Sequence, residues 1–96
     1  SYLLDGFRRE LDGVDGVADV RGMGLMLGIE LERPCAELVT EALDAGLLIN
    51  VTSERVIRLL PPLILEQAEA DLLVEQLSRV IKAFLHRPAV SAPGGD

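Results

Sequence analysis

The chain has 96 residues and a formal net charge of −7 at pH 7, and 49% of its residues are hydrophobic while only 3% are aromatic. This size and composition fit one domain with a modest aliphatic core, and they leave no aromatic platform on which nucleic-acid bases or sugars could stack. The negative charge also repels phosphate backbones and anionic membrane surfaces, so nucleic acid and membranes are not expected as partners.

The first third of the chain predicts one helix and two strands. Apolar residues at positions 3, 4, 7 and 11 share one helical face, and Asp12-Gly13 ends that pattern. Val17–Val20 is predicted to form a short strand. From Met23 to Leu31 every second residue is apolar, and this period of two is typical of a strand with one buried face.

The middle of the chain predicts a short helix followed by a hairpin. Arg33-Pro34 breaks the second strand, and apolar residues then recur at helical spacing from Cys35 until Gly46, a residue that favours a left-handed helix end. Leu47–Val51 and Val56–Leu60 are apolar runs separated by four polar residues. Two such runs with a polar connection are typical of a β-hairpin.

The last third predicts a long helix and a disordered tail. Pro61-Pro62 ends the second hairpin strand, and apolar residues at helical spacing predict an amphipathic helix from Glu66 to His86. Residues 88–96 are rich in Pro, Gly, Ser and Ala and are predicted to be disordered, which leaves residues 1–87 as the domain. The order of elements predicts an α+β two-layer sandwich, in which helices cover a small, mainly antiparallel sheet of undetermined strand order.

Nothing in the sequence indicates export, membrane insertion or a metal site. No stretch approaches the about 20 apolar residues of a membrane helix, and no basic flank precedes an apolar signal core. Cys35 is the only cysteine and His86 the only histidine, so neither an internal disulfide nor a structural zinc site is predicted. We expect a cytoplasmic location. Because Ser1 and Tyr2 lie inside a helical pattern without Met, we also expect a chain cut from a longer one.

Common catalytic and phosphate-binding motifs fail on spacing or context. His86 lies in the last turn of a predicted helix, so no Ser-His-Asp arrangement is proposed. The glycines at positions 22, 24 and 28 resemble a dinucleotide-binding loop, but Leu27 stands where the third glycine is needed, and a strand follows instead of a helix. We interpret these glycines as points of close backbone or ligand approach. Asn50-Val51-Thr52 matches a glycosylation acceptor, which is incidental in a chain without an export signal.

Arg58 is the main candidate for a binding residue. This permanent cation lies between apolar neighbours just before Pro61-Pro62, and its guanidinium offers a planar fork that matches a carboxylate. The alternative is a solvated arginine on the outer face of an edge strand, because most charged residues are exposed. Arg21 poses a similar choice between an exposed turn residue and an anion or subunit contact. Cys35 is either a reactive thiol or a small buried hydrophobe.

Three phrases of the sequence resemble a known family. They are VRGMGLMLGIEL (Val20–Leu31), AGLLINV (Ala45–Val51) and VIRLLPPLIL (Val56–Leu65). In this order and spacing they resemble the C-terminal small domain of class III, ornithine-type aminotransferases, and within that family the acetylornithine aminotransferases most closely. The resemblance covers roughly residues 2–85.

The resemblance implies a fold-type I enzyme whose large domain, absent from this chain, holds pyridoxal 5'-phosphate on a lysine. It implies that Arg58 pairs with the carboxylate of the amino-acid or 2-oxo-acid substrate, and that the complete subunit forms a homodimer. The implied reaction transfers the δ-amino group of N2-acetylornithine to 2-oxoglutarate in arginine biosynthesis. Lys82, the only lysine, matches no cofactor motif of the family. The fragment alone is therefore expected to bind no cofactor and to be inactive.

Three alternatives remain open. Class III aminotransferases that act on ornithine, succinyl-ornithine, 4-aminobutyrate or lysine share the same small-domain pattern, and the pocket for the substrate side chain lies largely outside these residues. A free-standing α+β ligand-binding or regulatory module would also fit the size and the order of elements. In a purely structural reading, the exposed face of the sheet would be the interface with the missing large domain.

Overall fold

A computed structural model describes residues 2–24, 26–60 and 65–87. The elements are the helices α1 (Tyr2–Leu11), α2 (Leu38–Asp44) and α3 (Gln67–His86), and the strands β1 (Val17–Met23), β2 (Met26–Leu31), β3 (Asn50–Thr52) and β4 (Val56–Leu59). Three sequence-based predictions lie outside the described residues, namely the strand position of Leu25, the break at Pro61-Pro62 and the disorder of residues 88–96.

The strands form one four-stranded sheet in the order β1-β2-β4-β3 within the described part of the chain. β1 pairs with β2 and β3 pairs with β4, and the contact between β2 and β4 joins these two hairpins. All three pairings are antiparallel. The α+β fold with an antiparallel sheet is therefore confirmed, and the strand order, which the sequence pattern left open, follows from the pairing of β2 with β4.

The first hairpin differs from its prediction in where the chain reverses. β1 continues to Met23 instead of ending at Val20, and β2 begins at Met26, which is the register partner of Met23. Gly24 lies in this turn with a φ of +66°, a backbone region that favours glycine. The alternation of apolar residues runs through the turn, so periodicity alone does not reveal the reversal.

The second hairpin has a shorter first strand than predicted, because β3 covers Asn50–Thr52 instead of Leu47–Val51. Ser53 and Glu54 in its turn have φ values of 51° and 66°, a region that residues with side chains rarely adopt. The Glu54 carbonyl accepts a hydrogen bond from the Cys35 N–H at 2.7 Å. A contact with the segment before α2 therefore holds this left-handed turn in place.

Alternate residues of β2 and β4 face the helices and form the core. Ile29 and Ile57 are register partners with exposures of 1% and 0%, and Leu77 of α3 is also fully buried. Full burial of an aliphatic side chain contributes about 1.5–3 kcal/mol. The core thus lies on one face of the sheet, and the residues between these positions project from the other face.

The helices bury the faces that their periodicity predicts, with an exception in α2. α1 packs on α3, where a Cβ at Gly6 would lie only 3.0 Å from Val74 Cγ2. In α2, Leu38 is buried, but Val39 and Leu43 are exposed although they share the helical spacing. The buried residues of α1 and α3 are Leu3, Gly6, Phe7, Leu11, Ala70, Val74, Leu77, Ser78, Ile81 and Phe84.

Both ends of α3 have specific partners. A capping box at Glu66 begins the helix. At the other end, the Arg33 guanidinium donates to the carbonyls of Phe84 at 2.7 Å and Arg87 at 2.9 Å, and the Phe84 carbonyl also accepts the Arg87 N–H at 3.2 Å. The guanidinium carbons of Arg33 and Arg87 lie 4.8 and 5.1 Å from the centre of the Phe84 ring. Arg87 also forms an ion pair with Glu41 of α2 at 2.8 Å.

The packing of Leu85 on Gly16 predicts a difference between two glycine substitutions. Gly13 and Gly16 have φ values of +73° and +100°, so an alanine at either position strains the backbone. A Cβ at Gly16 would lie 2.8 Å from Leu85 Cδ2, whereas a Cβ at Gly13 has no neighbour within 4 Å. In urea unfolding, we expect Gly13→Ala to lower the free energy of unfolding by about 1 kcal/mol and Gly16→Ala by about 1.5–2 kcal/mol, because the terminal methyl of Leu85 must also move. Equal losses would contradict this packing.

Candidate functional site

The sheet face opposite the core carries a row of four residues, one from each strand. Arg21 pairs with Gly28, and Gly28 pairs with Arg58. On its other side, Arg58 pairs with Asn50. All four positions lie on the face opposite Ile57, because side chains alternate along a strand. We call these four residues the arginine row. Its two arginines lie two strands apart, which is roughly 10 Å between backbones.

Arg58 lies near the centre of the arginine row and is half-buried. Its Nε is buried, and none of the residues that the structure describes offers it a hydrogen-bond acceptor. No ion pair to Arg58 occurs among residues 2–24, 26–60 and 65–87. A buried donor without an acceptor costs about 1–3 kcal/mol, and more when it is charged. Since its register neighbour Gly28 carries no side chain, the guanidinium has no cross-strand side chain to pair with on that side.

Arg21 has the opposite environment, because two carboxylates of its own chain bind it. Its Nη1 lies 2.9 Å from Glu30 Oε1 and 3.1 Å from Asp19 Oδ2. The hydrogen bond to Glu30, followed by that to Asp19, raises the pKa of Arg21 above its usual value. Arg21 therefore lies in β1 and not in a turn, and its charge is compensated by Asp19 and Glu30 within the sheet, an arrangement that neither sequence-based alternative described.

Asn50 completes the arginine row; the sequence places it in a predicted strand and in an incidental glycosylation acceptor, but it does not indicate a binding role. Its side chain is exposed, and its Oδ1 accepts a hydrogen bond from the Val51 N–H at 2.9 Å. No hydrogen bond from its amide nitrogen appears within the described residues. The signal that would have found it is the strand register, which depends on the hairpin turn and is not visible in the composition of β3.

Two other candidates from the sequence lie away from this row. Lys82 lies on α3, where its Nζ is 3.5 Å from Glu10 Oε1 of α1, and both helices cover the opposite face of the sheet. His86 is exposed in the last turn of α3, as its position in the sequence predicted. Neither side chain lies beside Arg58, because both belong to the helical layer on the other face of the sheet.

Cys35 is a buried hydrophobe, the second of the two readings that the sequence allowed. It is 0% exposed. Burial, with a smaller contribution from the charge of Glu37, raises the pKa of its thiol from 9.0 to about 11. The thiol is therefore protonated at neutral pH, and it cannot act as a nucleophile there.

No group of three or more His, Cys, Asp or Glu side chains in the described part of the chain is placed to hold a metal ion. None of the helices within residues 2–24, 26–60 and 65–87 combines the length and the apolar character that crossing a membrane requires.

Comparison with known sequences identifies relatives of this chain. The family model "Aminotransferase class-III" matches residues 1–81. Acetylornithine aminotransferase 1 of Bordetella bronchiseptica is 66% identical over 88% of this chain and 22% of its own length. Acetylornithine aminotransferase of Methanothermobacter thermautotrophicus is 47% identical over 84% of this chain and 21% of its own length. The chain thus spans about a fifth of the length of these relatives.

Solved structures agree with the sequence comparison. N-acetylornithine aminotransferase from Stenotrophomonas maltophilia superposes with a TM-score of 0.72 at 32% identity, over 86% of this chain and 24% of that one. Ornithine aminotransferase from Plasmodium yoelii superposes with a TM-score of 0.76 at 30% identity, over 85% of this chain and 22% of that one. The fold of residues 2–87 is therefore one that occurs inside larger aminotransferase chains.

The raised pKa of Cys35 predicts a loss of stability in alkali. Because the pKa is about 11 in the folded chain and 9.0 ordinarily, the folded state holds the proton more tightly. The resulting stabilisation is complete below pH 9 and is lost as the pH rises from 9 through 11. Between these pH values, we expect the free energy of unfolding to fall by on the order of 1–2 kcal/mol more in the unsubstituted chain than in Cys35→Ala. Urea unfolding at each pH gives this free energy. An equal fall in the two proteins would disprove the raised pKa of Cys35.

Proposed function

The chain belongs to the class III aminotransferases, and we propose that residues 1–87 form the small C-terminal domain of an acetylornithine aminotransferase in which Arg58 binds the substrate carboxylate. The reaction would be the transfer of an amino group between N2-acetylornithine and 2-oxoglutarate, in arginine biosynthesis. The high identity to acetylornithine aminotransferases, 66% in one case, supports this choice of substrate.

The buried, unpartnered Nε of Arg58 is the observation that carries the carboxylate assignment. A carboxylate bound side-on to a guanidinium accepts two parallel hydrogen bonds, and Nε–H is one of the donors that can take part. Such a ligand would satisfy this donor after a side-chain shift that uncovers it, because the Nε atom is closed to solvent in the described structure. Arg21 is a poorer candidate, because Glu30 and Asp19 already compensate its charge.

One arginine can serve both halves of the reaction. Both the amino donor and the oxo acid carry a carboxylate, so a single guanidinium fork orients each substrate in turn. Arg58 would hold the substrate in position and would move no proton itself. The chemistry of amino transfer belongs to pyridoxal phosphate, which the family resemblance implies for the complete enzyme.

The described residues do not fit as the site of that cofactor. Lys82 is the only lysine of the chain, and it lies in the helical layer beside Glu10, on the other side of the sheet from Arg58. We therefore derive no step through the cofactor from these residues. The large domain implied by the resemblance would supply its lysine, and on the same grounds we propose that the complete enzyme is a cytoplasmic homodimer.

A second candidate is an aminotransferase of the same family with another amino donor. The superposition on an ornithine aminotransferase at 30% identity favours ornithine as the first compound to compare. The complete enzyme would be assayed with acetylornithine, ornithine, succinyl-ornithine, 4-aminobutyrate and lysine, with 2-oxoglutarate as acceptor. A kcat/KM for any of the others above that for acetylornithine would replace the proposed donor.

Removing the Arg58 guanidinium should weaken binding of both substrates. In the complete enzyme, we expect Arg58→Ala to lower kcat/KM about 100-fold for the amino donor and for 2-oxoglutarate, mainly through KM, because two charge-assisted hydrogen bonds are lost. Cofactor content, measured by absorbance, should stay unchanged. Arg79→Ala removes an exposed arginine of α3 and serves as the control. Unchanged kinetics in Arg58→Ala would overturn the assignment.

The 96-residue chain alone should bind neither pyridoxal phosphate nor acetylornithine in calorimetric titrations. This expectation separates a severed domain from a free-standing ligand-binding module, which would bind a small acid by itself. A denaturing blot of source cells with an antibody against this domain gives an independent answer. A native band several times larger than 10.4 kDa supports the aminotransferase subunit, whereas a band of that mass supports the module.

A further inference from the structure

We propose that Asn50 is a second substrate-binding residue, whose side-chain amide donates a hydrogen bond to the same carboxylate that Arg58 binds. This inference rests on the proposed function of Arg58. It adds a neutral donor to the site.

The strand register places Asn50 beside Arg58. The two residues are direct partners in the pairing of β3 with β4, and they lie on the same face of the sheet. Directly opposed antiparallel residues have Cβ atoms about 4.5–5.5 Å apart. A carboxylate bound side-on at the Nε edge of Arg58, close to the sheet, would therefore lie beside the neighbouring amide.

The backbone fixes which end of the Asn50 amide is available. Its Oδ1 accepts the Val51 N–H at 2.9 Å, so the oxygen, which would repel a carboxylate, is engaged by the chain itself. The amide nitrogen makes no hydrogen bond among the described residues, and the residue is exposed. Asn50 thus presents its two amide N–H donors, and not its oxygen, to an approaching anion.

The donor capacity of Arg58 alone does not saturate a carboxylate. Two carboxylate oxygens accept about four hydrogen bonds, and a guanidinium fork supplies two. On the other side of Arg58, Gly28 has no side chain, and the next cation, Arg21, is held by Glu30 at 2.9 Å. Within the arginine row, Asn50 is the neighbour of Arg58 that can supply a further side-chain donor.

The test compares two substitutions of Asn50 in the complete enzyme. Asn50→Ala removes both the donors and the acceptor of the Val51 N–H. Asn50→Asp keeps an acceptor for that N–H but replaces the donors by a carboxylate beside Arg58. We expect KM for both substrates to rise about fivefold to tenfold in Asn50→Ala and at least about tenfold further in Asn50→Asp, with kcat within about twofold.

A merely structural role of Asn50 predicts the opposite order. If its only task is to accept the Val51 N–H, Asn50→Asp should behave like the unsubstituted enzyme and Asn50→Ala should be worse. That order, or an unchanged KM in both variants, overturns the proposal. Thr52→Val, a change on the same strand and face but two register pairs away, is the matched control and should leave KM unchanged.

Inhibition by glutarate tests the role of Asn50 separately from the role of Arg58. Glutarate has two carboxylates but no amino or oxo group, so its inhibition constant reports carboxylate binding without amino transfer. We expect this constant to rise in Arg58→Ala and in both Asn50 variants. If Arg58→Ala has no effect, the proposed function itself fails. If Arg58→Ala weakens inhibition and the Asn50 variants do not, only the role of Asn50 is refuted.

Discussion

The pairing of β2 with β4 is the constraint on which the rest of the structure depends. It joins two hairpins that are separated in the sequence by α2, and it sets Ile29 opposite Ile57 in the core. The same register sets Gly28 opposite Arg58 on the other face. A slip by one residue would move Arg58 into the core and Ile57 out of it, because side chains alternate with a period of two. Core packing therefore fixes the position of Arg58.

Periodicity predicted the fold where one face of an element is buried over several turns. α1 and α3 agree closely with their predictions, because each has an apolar stripe and a clear end. Periodicity failed where the chain reverses within an alternating pattern, as between Met23 and Met26. It also overestimated the buried face of α2, whose short length leaves Val39 and Leu43 exposed. The end of β3 is set by the left-handed turn at Ser53 and Glu54. This turn contains no glycine that would have indicated it in the sequence.

The sequence predicted Arg58 as a candidate residue, but it did not reveal which residues of other strands lie beside it. Arg58 is prominent in the sequence because it is a cation between apolar neighbours, and the family resemblance gives it a role. Its contrast with Arg21 depends partly on Asp19, two residues away on the same strand, and partly on Glu30 of the neighbouring strand, which the sequence pattern does not place beside Arg21. Asn50 was missed for the same reason, since residues 50 and 58 meet only through the turn between them.

The arginine contacts at the end of α3 have a consequence for local motions. Arg33, from the segment between β2 and α2, caps the last turn of α3, and Arg87 reaches from that turn to Glu41 in α2. Fraying of the final turn therefore requires these contacts with α2 and its preceding segment to break as well. The two regions should open as one cooperative unit in amide hydrogen exchange, with similar protection that falls together as salt screens the Arg87–Glu41 pair.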